Sequence, residues 1–335
     1  MKGLPETIDR LIALDLHGEG ILDGLIDPLY RAARAQSPGP LAWEAGRHLR
    51  EAAQSGKPIY IATGHVHPLA LPVGETDGPP GAAALARALV MSTRAPVILL
   101  CEPVVRNTLV HTCIAAGLVV REDVSSLPMP RSVAVLPFPI DPDEARHVSK
   151  AMAKDAAAIV TIEKVGRATD GGYYTGLGTD VADHLSKIDL LVDAIREAGG
   201  LTIGIGDLGS EIGMGRIIDT VVNLIPRGPK IACTVVTDVL VVAGTSNWGA
   251  YGITAALAGL ERNPALVPTG ELERDMIVEC CRAGGADSHS TGPTNEVDGA
   301  SWQTHATFAQ LMHDLVKLNV NTLISERLRF EITAT

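Results

Sequence analysis

The amino-acid sequence predicts an α/β protein whose open, mostly parallel sheet is covered by helices, with a helical N-terminal section and a helical C-terminal third. From Pro58 onward, short β-rich apolar runs alternate with amphipathic segments, which is typical of parallel strands joined by crossover helices. The apolar runs lack strict alternation with polar residues, as expected for strands buried on both faces. The chain has 335 residues, of which 46% are hydrophobic, so it is long enough for a large core.

The first 57 residues are predicted to form a helical section that precedes the α/β domain at residues 58–335. Apolar residues recur at helical spacing in Leu4–Leu14, Ile21–Arg34 and Ala42–Gln54. No fixed-period repeat and no low-complexity linker divides the rest of the chain. We therefore expect the two parts to form one compact unit.

The α/β part contains seven predicted strands. They are Ile59–Ala62, Val97–Cys101, Val133–Leu136, Ala158–Ile162, Thr202–Ile205, Ile231–Val236 and Val239–Ala243. The helices predicted between them are Gly81–Met91, Val104–Ala116, Pro142–Lys154, Val181–Ala198 and Ile212–Asn223. The C-terminal third is predicted to contain the helices Trp248–Leu260, Leu272–Ala283 and Ser301–Leu318.

The charge balance argues against nucleic acid as a partner. The chain has 28 Lys and Arg against 39 Asp and Glu, a formal net charge of −11, and aromatic residues make up 3% of it. Nucleic-acid binding needs clustered cations and stacking platforms, whereas surplus carboxylates supply ligands for hard cations.

No apolar run reaches membrane-spanning length, the five cysteines are scattered, and the N-terminus does not resemble a targeting segment. We expect a cytoplasmic protein with no membrane partner. The sequence is compatible with a homo-oligomer.

The densest motif is a glycine-rich loop after the fifth predicted strand. Gly204, Gly206 and Gly209 match the GxGxxG pattern of dinucleotide-binding loops, but Asp207 would set its charge against a pyrophosphate. A carboxylate at a strand end, followed by Glu211 at the predicted start of a helix, suits a divalent cation better. The alternative is that the two carboxylates only cap that helix.

A second acidic motif is Gly74-Glu-Thr-Asp-Gly-Pro-Pro-Gly-Ala82. In extended backbone Glu75 and Asp77 project to one side, where two carboxylates can share a cation. The prolines then lead into a helix, so the alternative is that Thr76 or Asp77 only caps this helix.

Two further strand ends carry polar residues. Lys164 and Arg167 are suited to hold a substrate carboxylate, which Arg can do bidentately. The alternative is that they pair with neighbouring acids on the surface. Ser246 and Asn247 follow the last predicted strand at the start of a helix, where they orient a substrate or cap the helix.

Histidines offer a weaker signal. His65 and His67 follow the first predicted strand at a spacing that lets both face one ligand. The chain has no GxSxG elbow, and no cysteine is placed beside a histidine in a nucleophile pattern, so covalent acyl chemistry is disfavoured.

Six segments carry a family resemblance. They are Thr63-Gly64, Gly74-Glu-Thr-Asp-Gly-Pro-Pro-Gly-Ala82, Glu163-Lys-Val-Gly-Arg167, Gly204–Gly215, Ser246-Asn-Trp-Gly249 and Gly284–Gly299. Together they resemble the D-glutamate cyclase-like family over most of the chain. The resemblance implies conversion of the amino acid D-glutamate to 5-oxo-D-proline, with a divalent cation, Mn or Mg, in an acidic cavity of an α/β fold. The family loop usually reads close to Gly-Asp-Gly-Gly-Asn-Glu, from which Leu208 and Ser210 depart.

With this resemblance, each candidate residue receives a role. The predicted metal ligands are Glu75, Asp77, Asp207 and Glu211. The predicted proton-handling residues are Glu163, Lys164 and Glu211. The predicted substrate-binding residues are Thr63, Gly64, Arg167 at the α-carboxylate, Ser246, Asn247, and Asp287 and Asp298 on a lid loop. The alternatives are a metal-dependent phosphohydrolase, a lactam hydrolase or lyase acting on another small acid, and a nucleotide-binding module.

Overall fold

The computed structural model describes residues 3–16 and 24–333, with side chains described as far as Val320. Seven parallel strands form one sheet, which confirms the predicted α/β fold, and two short strands form a separate antiparallel pair. The strands of the sheet are β1 Ile59–Thr63, β2 Val97–Cys101, β3 Val119–Arg121, β4 Ser132–Pro137, β5 Ala158–Ile162, β6 Leu201–Gly206 and β7 Val239–Val242. The separate pair is β8 Glu296–Val297 and β9 Ala300–Ser301.

Strands β1 and β5 lie side by side in the middle of the sheet, whose order is β3-β4-β2-β1-β5-β6-β7. From β1 the chain moves to β2 on one side, and it later returns to β5 on the other side, so the strand order reverses between β1 and β5. Ligands of open α/β sheets bind outside the carboxyl ends of the strands at such a switch point. The parallel register pairs Thr63 with Ile162 and brings the loops that follow these two strands together.

The α-helices surround the sheet. They are α1 Leu4–Ile12, α2 Ile26–Ala35, α3 Leu41–Ala53, α4 Pro79–Ser92, α5 Arg106–Ala115, α6 Pro142–Met152, α7 Ile188–Glu197, α8 Ile218–Leu224, α9 Gly228–Ile231, α10 Ser246–Glu261, α11 Gly270–Arg282 and α12 Trp302–Thr333. Helix α10 lies in the interior, where every residue from Ser246 to Gly259 is buried. Among the described residues, no helix combines the length and the apolar character that crossing a bilayer requires.

The N-terminal helices pack on α10 through small residues, and a buried acid joins two of these helices to each other. The Cβ of Ala256 on α10 approaches Gly46 so closely that a side chain at position 46 would collide with it. The buried carboxylate of Asp9 accepts hydrogen bonds from the amides of Leu41 and Ala42 at the start of α3. Helices α1 and α3 therefore share their core with the sheet domain, and the boundary at residue 57 stays a prediction.

The structure corrects several predicted elements. The predicted strand Ile231–Val236 is wrong, because its first residue ends the short helix α9 and Cys233 forms an isolated bridge to Ala168 instead of a strand. The predicted helix Val181–Ala198 begins only at Ile188, after a 3-10 turn. The edge strand β3 was not predicted. The first residues of the predicted second helix, 21–23, lie outside the described residues, as do 1–2 and 17–20.

Candidate active site

A cavity of about 480 Å³ opens at the carboxyl ends of the central strands. Five of the predicted acids line it, together with three histidines: Glu75, Glu163, Asp207, Glu211, Asp298, His65, His67 and His289. Within the described part of the chain, no Lys or Arg belongs to the wall of this cavity. The structure thus brings together carboxylates from four separate loops around one space.

Glu163 occupies the centre of this site directly after β5. Its backbone lies in the left-handed region, with φ 47°, which is uncommon for a residue with a side chain and occurs at functional sites. The Ser246 hydroxyl donates a hydrogen bond of 2.7 Å to Glu163 Oε2. Gly78, with φ 107°, lets the neighbouring loop approach, because a Cβ there would collide with Thr63 Oγ1. Thr63 and Ser246, which form these contacts, are both fully buried.

Asp77 and Asn247 cap each other's helices. Asp77 accepts hydrogen bonds of 2.8 Å from the amides of Ser246 and Asn247 at the start of α10. In return Asn247 Oδ1 accepts hydrogen bonds from the amides of Gly78, at 3.0 Å, and Gly81, at 2.7 Å, at the start of α4. The alternative that Asp77 caps its own helix is therefore wrong. Asn247 is buried and engaged with backbone, so the structure does not bring it to the cavity wall.

Asp207 and Glu211 lie on a loop that folds back over β6. The predicted helix Ile212–Asn223 does not begin beside Glu211: Gly213 has φ 106°, and α8 starts only at Ile218. Glu211 Oε2 instead accepts a hydrogen bond of 2.7 Å from the amide of Gly209 inside the loop. The alternative that Glu211 caps the helix is therefore wrong.

The glycines of this loop have a packing explanation. A Cβ on Gly204 would collide with the carbonyl oxygen of Ile212, and a Cβ on Gly209 would collide with Val221. Gly206 lies against the side chain of Glu211, whose Cβ would be 2.7 Å from an added Cβ. The GxGxxG pattern thus lets an acidic loop cross closely over its own strand.

The loop at residues 284–299 carries Asp298 and pairs with the segment that carries Glu75. The segment around Glu75 pairs with this loop, because the amide of Thr76 donates to the carbonyl of Ala286 at 3.0 Å. Asp287 is fully buried and accepts hydrogen bonds from three amides of the loop, those of residues 289, 290 and 299. Asp287 therefore shapes the loop, and Asp298 lines the cavity.

Burial raises the pKa of every lining acid. The pKa of Glu75 rises to about 8, first because the carboxyl is buried and second because Asp77 lies close. Burial followed by the charges of Asp207 and Glu211 raises the pKa of Glu163, and burial followed by Glu211 raises that of Asp207. Such shifts arise where like charges share a dry space, and they are typical of functional sites.

Two groups of side chains have the composition of cation sites. In one, His65, Glu75 and Glu163 each bring a ligand atom within 4.8 Å of the others, and Asp77, Glu163 and Asp207 do so in the second. Nδ1 of His65 has no hydrogen-bond partner among the described residues. Burial lowers the pKa of His65 to about 4, so its imidazole is neutral at pH 7, the form that binds metals. These residues fit a divalent cation, and Glu211 belongs to neither group among the described residues.

Lys164 and Arg167 are not on the cavity wall. The ammonium of Lys164 is fully buried, pairs with Glu102 and donates a hydrogen bond of 3.0 Å to the carbonyl of Gly64. Arg167 pairs with Asp189 at 2.8 Å and Asp193 at 2.6 Å. The prediction that Arg167 grips a substrate carboxylate is corrected, because two acids of α7 already occupy its guanidinium.

The sequence analysis missed a part of the cavity wall that carries no acid. It is formed by the loop that carries Thr175, Leu177 and Thr179, and by the side chain of Leu208, which packs against Gly176. His289 on the 284–299 loop was also missed. The signal for His289 was its position inside a loop already expected to cover the site. Most of residues 175–179 belong to the glycine-rich stretch Gly166–Gly178, whose sequence is typical of a functional loop or a linker and does not connect it to this cavity.

The fold and the site define an α/β protein with a buried acidic cavity at the switch point of a parallel sheet. A family model described as "D-glutamate cyclase-like, C-terminal" matches residues 26–313, and the chain belongs to this family. The chain is 33% identical over 192 residues to the D-glutamate cyclase, mitochondrial, of Homo sapiens. That match covers 56% of this chain and 30% of the human protein, so the chain corresponds to under a third of its relative's length.

The fold is weakly similar to that of RecJ, one of several matching chains among the solved structures. The chain matches RecJ in complex with Mn²⁺ from Thermus thermophilus with a TM-score of 0.33 and 14% sequence identity. The match covers 90% of this chain and 43% of RecJ. At this TM-score the similarity supports no statement about function.

Proposed function

We propose that this protein cyclises D-glutamate to 5-oxo-D-proline with the help of a divalent cation, a dehydration of the hydro-lyase type. The observation that carries the proposal is a cavity whose described wall has five acids and no Lys or Arg, in a member of the D-glutamate cyclase-like family. D-Glutamate carries two carboxylates, which such a wall repels unless a cation lies between them. Family membership supports D-glutamate as the substrate. The acidic cavity wall supports the requirement for a divalent cation.

The residues that would hold the cation are those of the two ligand groups: His65, Glu75, Asp77, Glu163 and Asp207. When bound, the cation supplies a Lewis acid that polarises the γ-carboxylate of the substrate. Carboxylates suit both Mn and Mg, whereas an imidazole ligand suits transition metals. The donor set therefore favours Mn over Mg.

We assign the proton transfers to Glu211 and Asp298, which line the cavity outside both ligand groups. Ring closure requires the α-ammonium group to lose one proton before nitrogen forms a bond to Cδ, and the nitrogen loses a second proton as the amide forms. The bond from Cδ to one oxygen breaks, and that oxygen takes up two protons and leaves as water. Burial raises the pKa of both acids, which favours their protonated forms and suits them to proton transfer.

Lys164 and Arg167 serve this reaction as positioning residues. Lys164 fixes the loop after β1 through the Gly64 carbonyl, next to His65. Arg167 ties the loop after β5 to α7 through its two carboxylate partners. Both residues support the backbone that carries Glu163.

The proposal is tested by incubating the purified protein with D-glutamate and Mn or Mg and following 5-oxoproline by chiral chromatography. D-Aspartate is the matched control substrate, since its shorter chain would have to close a strained four-membered ring. Glu273→Gln is the control for substitutions of a cavity acid such as Glu163→Gln, because Glu273 is a buried acid outside the cavity lining. We expect product from D-glutamate with wild type and control, and none from D-aspartate. Absence of product with every metal, or phosphate release from an ester panel instead, overturns the proposal.

A further inference from the structure

We propose that the cavity holds two divalent cations, bridged by the carboxylate of Glu163. The inference deepens the proposed function, since it concerns the cation that this function requires. The two ligand groups lie side by side: His65 and Glu75 complete one, Asp77 and Asp207 complete the other, and Glu163 belongs to both. A carboxylate has two oxygens and can therefore bind one cation through each.

The side chain of His65 supplies an independent observation. It is 7% exposed, it lies on the cavity wall, and its Nδ1 has no hydrogen-bond partner in the described part of the chain. A buried imidazole nitrogen normally has a partner, so an unpartnered one that faces a cavity indicates a missing ligand. His67 differs, because its Nδ1 accepts hydrogen bonds from the amides of Leu69 and Ala70.

The backbone places Glu163 between the two groups. A φ of 47° at a residue with a side chain is retained only where the surroundings impose it. Here Ser246 binds one carboxylate oxygen, Oε2, and Gly78 leaves room beside the Cβ of Glu163. The side chain is thus fixed at the point where the two groups meet.

The charge of the cavity favours two cations over one. Five acids line the wall and Asp77 lies buried behind it, whereas the ammonium of Lys164 is directed to Glu102 and the Gly64 carbonyl. One divalent ion offsets two of these charges when they are ionised, and two offset four. A shared ligand between two cations is the arrangement that binuclear hydrolytic and transfer sites use.

The test counts Mn²⁺ ions and measures their distance without any substrate. Metal-free protein is titrated with MnCl₂ by calorimetry, and the saturated sample is examined by electron paramagnetic resonance. We expect two Mn²⁺ per chain and the spectrum of an exchange-coupled pair. One Mn²⁺ per chain with an uncoupled six-line spectrum overturns the proposal.

Variants assign the two positions. His65→Ala and Asp207→Asn are each expected to bind one Mn²⁺ and to lose the coupled spectrum, while His67→Ala keeps both ions. Glu163→Asp is expected to keep the fold and weaken the coupling, as judged by circular dichroism beside the resonance spectrum. If His65→Ala still binds two coupled ions, the assignment of the first group is wrong.

The outcome is separable from that of the proposed function. A protein that binds a coupled Mn pair but forms no 5-oxoproline keeps this inference and loses the cyclase proposal. A protein that forms 5-oxoproline with one Mn²⁺ bound keeps the cyclase proposal and loses this inference.

Discussion

Buried carboxylates occur in two regions of this molecule, and each region surrounds them differently. One region is the framework, by which we mean the buried acids outside the cavity: Asp9, Glu102 and Glu273. Asp9 accepts hydrogen bonds from two backbone amides at the start of α3, and Glu102 pairs with Lys164. Glu273 accepts a hydrogen bond of 2.5 Å from Tyr251. Each of these acids has its own donor, is packed by protein and lies outside the cavity lining. Such an acid stabilises the fold when its donors are present.

In the cavity, the acids face one another across open space. Neighbouring carboxylates, after burial itself, raise the pKa of Glu75, Glu163 and Asp207. Burial of an acid alone therefore does not mark a functional site in this molecule. A functional site is indicated when several acids are buried beside one another around a space that a ligand can enter.

The largest expected effect follows from Glu163→Gln in the cavity. We expect kcat/KM for D-glutamate to fall about 1,000-fold, because the residue shared by both ligand groups loses its charge. The metal-free variant should melt at a higher temperature than wild type, since one of several mutually repelling buried charges is gone. Activity assays and thermal melts in chelator check both parts, and a lower melting temperature would contradict the comparison.

The framework should respond in the opposite way to Asp9→Ala. We expect the free energy of unfolding to fall by about 3 kcal/mol, because the amides of Leu41 and Ala42 lose their buried acceptor. The kcat/KM of the folded fraction should stay at the wild-type value. Urea unfolding measures the first quantity, and Tyr30→Phe, which removes one donor to the same carboxylate, is expected to cost about 1 kcal/mol.

The acids of the cavity were predictable from the sequence because of where they stand along the chain. Glu163 and Asp207 each follow a parallel strand directly, and the carboxyl ends of parallel strands meet at one edge of the sheet. Most strands were predictable for a different reason, because their apolar runs are long. Strand β3 has only three residues at the edge of the sheet, too short for a periodic signal.

The partners of the polar side chains were not predictable, because they are set by tertiary packing. Arg167 meets Asp189 and Asp193 only because α7 crosses the end of β5. Asp77 and Asn247 cap each other's helices across 170 positions of sequence. A local pattern distinguishes a helix-capping residue, but it does not tell which helix the residue caps.

A smaller effect is expected when the framework acid Glu273 is titrated. Burial raises its pKa from 4.5 to about 8, so between these values the folded protein holds a proton that the unfolded chain has released. The free energy of unfolding therefore falls through this group as pH rises from 4.5 to 8. The stability advantage of Glu273→Gln over wild type should therefore be larger at about pH 8 than at about pH 5, by on the order of 3 kcal/mol. Urea unfolding of both proteins at the two pH values checks this, and an equal difference at both would contradict it.

The smallest expected effect concerns the apolar side of the cavity, where no acid is involved. Leu208 lines the wall and packs against Gly176, so Leu208→Gly widens the space beside the acids. We expect KM for D-glutamate to rise about 5-fold with kcat nearly unchanged, because lost apolar contact weakens ground-state and transition-state binding equally. Leu69→Ala is the matched control, since Leu69 is 89% exposed and does not line the cavity. A fall in kcat instead would mean that Leu208 positions the reacting groups, and the acid and apolar walls would then act together rather than separately.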